Sequence, residues 1–458
     1  MTETETEKQP AQDESALNEP QNNAQADVCC REGGYGWVCV MCTFLINAHT
    51  WGINSVCIAL YPAIILRVPS SNQMMQAYGV FLAYYLSNDV FPNMTALQYA
   101  FVGGLSISCA MLISPVVTYL SHHFSRRLVL NIGAVLVSVS LITTSFVKRN
   151  WQLFLSQGIC FGFGMGFSFV GSVGVVSHWF ETKRSLVNGI TSAGSGTGGL
   201  IYSLAAGKMI PRLGFPWAMR ALGIICFAVN LPCSNLLRLP PEYDASRVNQ
   251  PALRLSLLRR PEYLIYLLWG LLSTLGYTVL LFSMSSYAVA MGLTQWKASI
   301  AGALLNLGQA FGRPAVGLLS DKLGRLEVTF VATLLDGLFC LVIWVFVNSI
   351  GVIYFFAILV GLVAGTLWAA AAPLGAEVVG LADLPSALGI FWFVLVPPTA
   401  VAEPIALQLR DGLGHSKPYL RVQLLAGFVY LGAALCVIPL RILLSRRRAA
   451  LKRGVVGS

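Results

Sequence analysis

The sequence predicts an all-α membrane protein with twelve transmembrane helices in two six-helix bundles, on three observations. Hydrophobic residues make up 56% of the 458 residues and charged residues only 11%, against about 25% charge in a soluble domain. Such a chain cannot cover a water-facing surface, which excludes a cytosolic enzyme, a secreted domain and a disordered scaffold. Apolar runs of about the 20 residues that a spanning helix needs recur six times on either side of one polar stretch, Arg238 to Arg260. The basic residues then sort unequally between alternate loops.

Residues 1–31 are polar, rich in Thr, Glu, Gln and Asn, and hold no apolar stretch. They read as a disordered cytoplasmic tail, not a signal peptide. Cys29 and Cys30, just before the first span, are candidates for palmitoylation. The N-terminal bundle covers 32–237, with spans at 37–55 (continuing near 78–86), 97–120, 128–147, 151–176, 186–206 and 217–237. A cytoplasmic loop, 238–261, leads to the C-terminal bundle, 262–443, with spans at 262–286, 296–319, 327–347, 350–372, 386–409 and 419–443. Residues 444–458 form a basic cytoplasmic tail.

With the N-terminus inside, the cytoplasmic segments hold nineteen Lys and Arg and the opposite side ten, leaving Arg313 within a span. By the positive-inside rule both termini are cytoplasmic, in a multi-pass protein placed in the plasma membrane. The net charge of +10 therefore reflects basic loops facing a lipid bilayer and not a nucleic-acid partner. The sequon Asn93-Met94-Thr95 falls in the first external loop, where a glycan can be added. Eleven cysteines is an odd number, and most lie inside apolar runs, where they pack as small apolar residues. The Cys39-x-x-Cys42 pair reads the same way.

An even span count broken at the centre points to a secondary transporter built from repeats. One repeat trace is visible. The loop after the eighth span reads Gly317-Leu318-Leu319-Ser320-Asp321-Lys322-Leu323-Gly324-Arg325, and that after the second reads Leu120-Ser121-His122-His123-Phe124-Ser125-Arg126-Arg127. Both run Leu-Ser, two polar residues, an apolar one, a small one and Arg. This resembles the inter-helix loop signature of the major facilitator superfamily, degenerate in the first half and intact in the second. An Asp and flanking cations there can hold neighbouring helix ends in one conformation and release them in another. Asp321, Lys322 and Arg325, with Lys183 and Arg184 in the loop before the fifth span, are the expected gating residues.

Two further blocks narrow the family. Glu32-Gly33-Gly34-Tyr35-Gly36-Trp37-Val38 opens the first span. Trp179-Phe180-Glu181-Thr182-Lys183-Arg184-Ser185-Leu186-Val187-Asn188-Gly189 leads into a helix rich in small residues, Ala193-Gly194-Ser195-Gly196-Thr197-Gly198-Gly199. Together they resemble the signatures of the monocarboxylate porter family within that superfamily, from residue 32 to the C-terminus. The polar tail and Phe101-Val102-Gly103-Gly104-Leu105-Ser106 look like its fungal branch. The resemblance implies the major facilitator fold and transport of a monocarboxylate. Gly194-x-Gly196-x-x-Gly199 also matches a dinucleotide pattern, but that motif must follow a strand. In an apolar helix it serves close packing, as do Gly162-x-x-x-Gly166 and Gly361-x-x-x-Gly365. No cofactor is implied, and no G-x-x-x-x-G-K-[ST] or hydrolase constellation is present.

Arg313, in Leu307-Gly308-Gln309-Ala310-Phe311-Gly312-Arg313-Pro314, is the leading substrate-binding candidate. A cation at the bilayer centre costs at least about 2.5–3.5 kcal/mol, and an inward-facing guanidinium offers a fork matched to a carboxylate. The resemblance implies the same role for an Arg before Pro in the eighth helix. Arg313 is also eight residues before Asp321, about 12 Å along a helix, so its head can alternatively snorkel toward the interface. Asn306 and Gln309 on the same span, and Asn47 and Asn54 on the first, are expected to add polar contacts. Asn47, Thr50 and Asn54 share one helix face, and such a stripe either bonds substrate or glues helices.

The departures from the family pattern matter too. Proton-coupled animal members carry an Asp one turn before the Arg, where this chain has Gln309, and a Lys in the first helix, which this span lacks. Their proton-coupling mechanism is not expected here. Asp336 in the ninth span and Glu403 in the eleventh are the embedded carboxyl groups left to carry a proton. Phe391, Trp392 and Phe393 are candidates for an apolar part of the cavity, and Pro397-Pro398 for a kink.

Val56–Gln76 interrupts the first span. Joining Ser55 to Ala77 gives one continuous helix, so this 21-residue stretch reads as a retained intron. A peptide mapped wholly within it from the expressed protein would refute that.

The expected function is secondary or facilitative transport of a small organic anion, a monocarboxylate, by alternating access. The same fold moving a riboflavin-like solute or exporting a secondary metabolite is the alternative. A non-transporting sensor would need a long structured extension, and this tail has about thirty residues. Nothing in the sequence speaks to an ancillary subunit.

Overall fold

The computed structural model describes residues 33–58, 96–241, 252–293, 295–410 and 418–452. The N-terminal tail with Cys29 and Cys30, the Asn93 sequon, the middle of the central loop and the end of the basic tail lie outside the described residues. So does the Val56–Gln76 stretch after Ile58; its first three residues continue a helix.

All regular structure among the described residues is helical. The first half holds α1 (Tyr35–His49), α2 (Trp51–Ile58), α3 (Ala96–Leu112), α4 (Ser114–His123), α5 (Arg126–Thr144), α6 (Phe161–Ser172), α7 (Arg184–Leu213) and α8 (Phe215–Leu236). The second holds α9 (Pro261–Ala290), α10 (Gln295–Leu323), α11 (Arg325–Leu338), α12 (Ile350–Ala364), α13 (Thr366–Val379), α14 (Leu384–Val394), α15 (Val396–Gln408) and α16 (Leu420–Lys452). Several pairs are one span broken near its middle, and each break has a local cause. Thr50 turns its hydroxyl onto Ile46 O (2.6 Å) between α1 and α2, Gly365 separates α12 from α13, and Pro397-Pro398 follow the α14–α15 break at Leu395.

The molecule is inside out relative to a soluble protein. Phe311, Leu435 and Ile224 are 60–68% exposed, while Asn47, Arg313 and Asp336 are at most 5% exposed. Lipid solvates the first set, and only the interior offers partners to the second. Ten segments are long and apolar enough to cross a bilayer. The fifth and eighth spans of the sequence reading, α7 with 30 residues and α10 with 29, are long but less apolar. Gly, Ser and Thr dilute α7; Asn306, Gln309 and Arg313 dilute α10. These two helices pack chiefly on each other, so neither needs a fully apolar surface.

Within the first half α1 packs on α7 and α8, and α5 on α6 and α8; within the second, α9 and α11 pack on α16, and α10 on α12. Between halves the contacts are α7 with α10 and α13, α3 with α15, and α4 with α14. Glycine lets backbones touch along this interface. A Cβ on Gly189 would overlap Arg313 O, one on Gly196 would lie 2.8 Å from Asn306 O, and one on Gly317 would overlap Ser185 O. Gly194 and Gly198 meet α1 in the same way at Phe44 O and Ala48 O, so the G-x-G-x-x-G segment is a packing face.

The two signature blocks, more than 140 residues apart, form one joint. Trp37 sets its ring edge-on to Phe180 (5.2 Å) and Tyr35 lies 5.9 Å from Trp179. Gly36 fits only because its missing Cβ leaves room for both Trp179 and Phe180. Tyr35 Oη donates to Leu236 O (2.5 Å) and Trp179 Nε1 to Arg238 O (2.9 Å). The first block is therefore a socket for the second, beyond the interfacial anchoring its Trp and Tyr suggest.

Candidate functional site

A cavity of about 620 Å³ lies between the halves. Asn47, Trp51 and Asn54 line it from the first span, Ile107 from α3, Phe169 from α6, and Ser192 and Ser195 from α7. Tyr277, Thr278, Leu281, Arg313, Trp368 and Thr399 line it from the second half.

Among the described residues Arg313 is the only charged one that lines it. Its side chain points inward, away from the interface it was free to reach by snorkelling. Nη1 donates to Ser192 O (2.6 Å) and to Ser195 Oγ, and Nη2 donates to Gln309 Oε1 (2.5 Å). Its Nε has no partner, and among the described residues no carboxylate pairs with it. Gln309, one turn earlier on α10, also accepts from Tyr277 Oη (3.2 Å), leaving its own Nε2 unpartnered. Asn54 Oδ1 accepts from Ser106 Oγ (2.8 Å) and its Nδ2 is free; Asn47 Nδ2 donates to Thr191 O (2.9 Å) and its Oδ1 is free. Among the described residues, Arg313, Gln309 and Asn54 thus leave three donor groups unsatisfied beside the one acceptor of Asn47, and each stranded buried donor costs about 1–3 kcal/mol until matched.

Gly365, at the α12–α13 break, seats the guanidinium. A Cβ there would overlap Arg313 Nε and lie 2.8 Å from its Cγ. Gly365→Ala is expected to displace the guanidinium and cut transport at least tenfold with surface expression intact, because an alanine in or beside a helix is otherwise neutral or better. Uptake normalised to surface protein measures it, and normal uptake would show that the guanidinium position is not critical.

Of the other expected binding residues, Asn306 is buried but not among the lining residues; its backbone carbonyl faces Gly196. His49 bonds Leu45 O and meets Tyr202 edge-on, away from the cavity. Phe391, Trp392 and Phe393 do not line it either. Phe391 stacks on Tyr266 (4.6 Å), Phe393 is half-exposed, and Trp392 sits one layer back, stacked on Trp368 (5.6 Å). Asp336 is buried elsewhere in the second half, with Oδ1 unpartnered and Cys340 and Tyr430 in electrostatic reach. Glu403 belongs to α15, and its side chain is outside the described residues.

The sequence reading missed Trp51, Phe169, Tyr277 and Trp368. For Trp51 a signal existed: Asn47, Trp51 and Asn54 are spaced i, i+4, i+7. Thr50, which the stripe named instead, bonds its own helix.

The expected gating residues gather at one end of the molecule. Asp321 Oδ1 and Oδ2 accept from Ser185 N (2.9 Å) and Leu186 N (2.8 Å), the orphan donors of the first turn of α7. Arg325 joins Asp321 (3.7 Å), Glu377 (3.5 Å), Ser185 Oγ (3.1 Å) and Glu181 O (3.3 Å), and Arg448 reaches Glu377 (3.3 Å). Arg184 holds Ser177 O and Phe180 O. Lys183 and Lys322 are exposed.

The model of the Major Facilitator Superfamily matches residues 37–402. The probable transporter MCH2 of Saccharomyces cerevisiae is 32% identical over 424 residues, which cover 92% of this chain and 85% of that protein. The agnestins efflux protein AgnL12 of Paecilomyces divaricatus is 27% identical, over 80% of this chain and 83% of its own. The crystal structure of the human organic anion transporter MFSD10 (TETRAN) superposes with a TM-score of 0.63 over 88% of this chain and 100% of that one, at 15% identity, a likeness of fold. On a match that spans both halves and the linker between them, this multi-pass membrane protein belongs to the Major Facilitator Superfamily as a transporter and not an enzyme.

Proposed function

We propose that the chain carries a small organic anion, a monocarboxylate, by alternating access, with Arg313 as the carboxylate receptor. The observation that carries this reading is a fully buried guanidinium without a carboxylate partner, facing a cavity whose stranded groups are mostly donors. Gln309 and Asn54 complete the anion site and Asn47 adds an acceptor for a hydroxyl or keto-acid hydrate. The gate of Asp321 and Arg325 closes the end we assign to the cytoplasm, where both termini would lie in a plasma-membrane protein.

The test is uptake of labelled acetate, lactate and pyruvate into cells expressing the chain, with and without an inward proton gradient. Uptake above vector controls supports the reading. No transport of any acid in either direction, with the protein at the surface, would overturn it. Export of a larger acidic metabolite is the second reading, favoured by the aromatic lining of the cavity and by the efflux protein among the relatives.

Gln309 cannot exchange a proton, so a coupled cycle needs another acid, and we assign that role to Asp336. Asp336→Asn is expected to abolish stimulation by the gradient while leaving acid exchange without a gradient within about threefold. Retained stimulation would remove Asp336 from coupling.

A further inference from the structure

We infer that the substrate is an aromatic carboxylate, an aryl ring separated from its acid by a short chain. This rests on the carboxylate reading and narrows it. Four aromatic side chains line the cavity with Arg313, more apolar surface than a three-carbon acid can meet.

Among the polar groups the cavity presents a set of rings from both halves. Trp51 lies 5.3 Å from Phe169 at 79° and 5.2 Å from Trp368 at 49°. Trp368 lies 6.1 Å from Phe169 and from Tyr277, both edge-on. These spacings are the edge-to-face and tilted contacts that aromatic quadrupoles favour. Trp392, outside the cavity, stacks on Trp368 with only 9° between planes and touches Phe169 at 5.0 Å, so the lining ring is held flat from behind. Because the rings touch one another they form a wall and not a box. A box of separated faces is what encloses a quaternary ammonium; a continuous wall accepts a flat ring by stacking.

The acid and the ring are registered by one glycine. Arg313 rests on Gly365, and Trp368 follows Gly365 by one turn, its amide bonded to Gly365 O (3.2 Å). The guanidinium and the ring are thus held from neighbouring positions on one helical turn, about 5 Å along the axis, which suits a ligand with a short spacer between acid and ring. Tyr277 ties the two ends, its hydroxyl on Gln309 and its ring on Trp368.

The test is competition against labelled phenylpyruvate bound to the purified full chain in detergent. Phenylpyruvate is expected to compete at least tenfold better than its ring-saturated analogue cyclohexylpyruvate and about a hundredfold better than pyruvate. Its neutral amide should not compete. Trp368→Leu should erase the preference for phenylpyruvate over pyruvate, and Phe169→Leu is the second variant should Trp368→Leu fail to fold. Equal competition by cyclohexylpyruvate would show that apolar bulk, not aromaticity, is read, and would overturn the inference. Equal competition by pyruvate, or preferential competition by glycine betaine, would overturn it and leave the carboxylate reading standing. Binding of the amide as tight as the acid would overturn both.

Discussion

Arg313→Ala is expected to abolish carboxylate transport while the protein still reaches the membrane. The side chain is 4% exposed and has no ionic partner among the described residues, so the folded chain holds an uncompensated cation that a bound carboxylate would neutralise. Removing one member of a buried, hydrogen-bonded charge pair costs about 2–5 kcal/mol, here a loss of roughly 30- to 5,000-fold in affinity. Arg313→Lys should fall between, because an ammonium keeps the charge but cannot fork. The guanidinium also bridges the halves, from α10 to Ser192 and Ser195 on α7. The alanine variant should therefore loosen the empty protein as well, seen as faster amide exchange in the middle of α7. Unchanged transport by surface-expressed Arg313→Ala would remove the residue from the mechanism.

Asp321→Asn is expected to shift the resting conformation toward opening at the gate. Both carboxylate oxygens accept from the first turn of α7, where the helix dipole adds to the charge. An amide keeps one acceptor and sets an NH2 against the second donor. The lost charge-assisted hydrogen bond is worth about 2–3 kcal/mol, a roughly 30- to 150-fold change in the equilibrium between closed and open. A cysteine placed at Val316, buried beneath the gate, should then react with a membrane-impermeant thiol reagent much faster than in the unaltered gate. Transport should fall, because one state of the cycle becomes over-populated. Equal labelling would leave Asp321 a helix cap and nothing more.

The helical membrane fold and the burial of Arg313 were legible because bilayer thickness and the cost of a buried charge leave direct marks in a sequence. Which neighbours Arg313 meets was not. Asn306 and Gln309 lie three residues apart, and only the crossing of α10 over α7 decides that Gln309 bonds the guanidinium while Asn306 abuts Gly196. Trp368 gave no sign either, since it sits in a run of small residues, Ala369 to Ala372, in which every face of the helix looks alike. The joint between Tyr35–Trp37 and Trp179–Phe180 was read as two separate motifs because contact between distant segments has no periodicity. The extent of α7 was underestimated: its glycines and its Lys208 and Arg212 end the apolar run before the helix ends.

The contact between α7 and α10 sets how the two halves can move. Backbones touch there at three successive levels, Gly317 with Ser185, Gly189 with Arg313 and Gly196 with Asn306, and Asp321 pins its end. Across the molecule, where α4 meets α14, His122 occupies Asp321's place in the repeat, and Ser114 Oγ donates to Gly389 O (2.9 Å). A second cavity of about 430 Å³ already lies beside that edge, lined by Thr118, Arg126, His178 and Leu388 among others. The seam between α7 and α10 is thus fitted closely along its length and latched by a carboxylate at one end: were Asp321 to let go, the Gly189 and Gly196 levels would remain as the hinge about which that end opens.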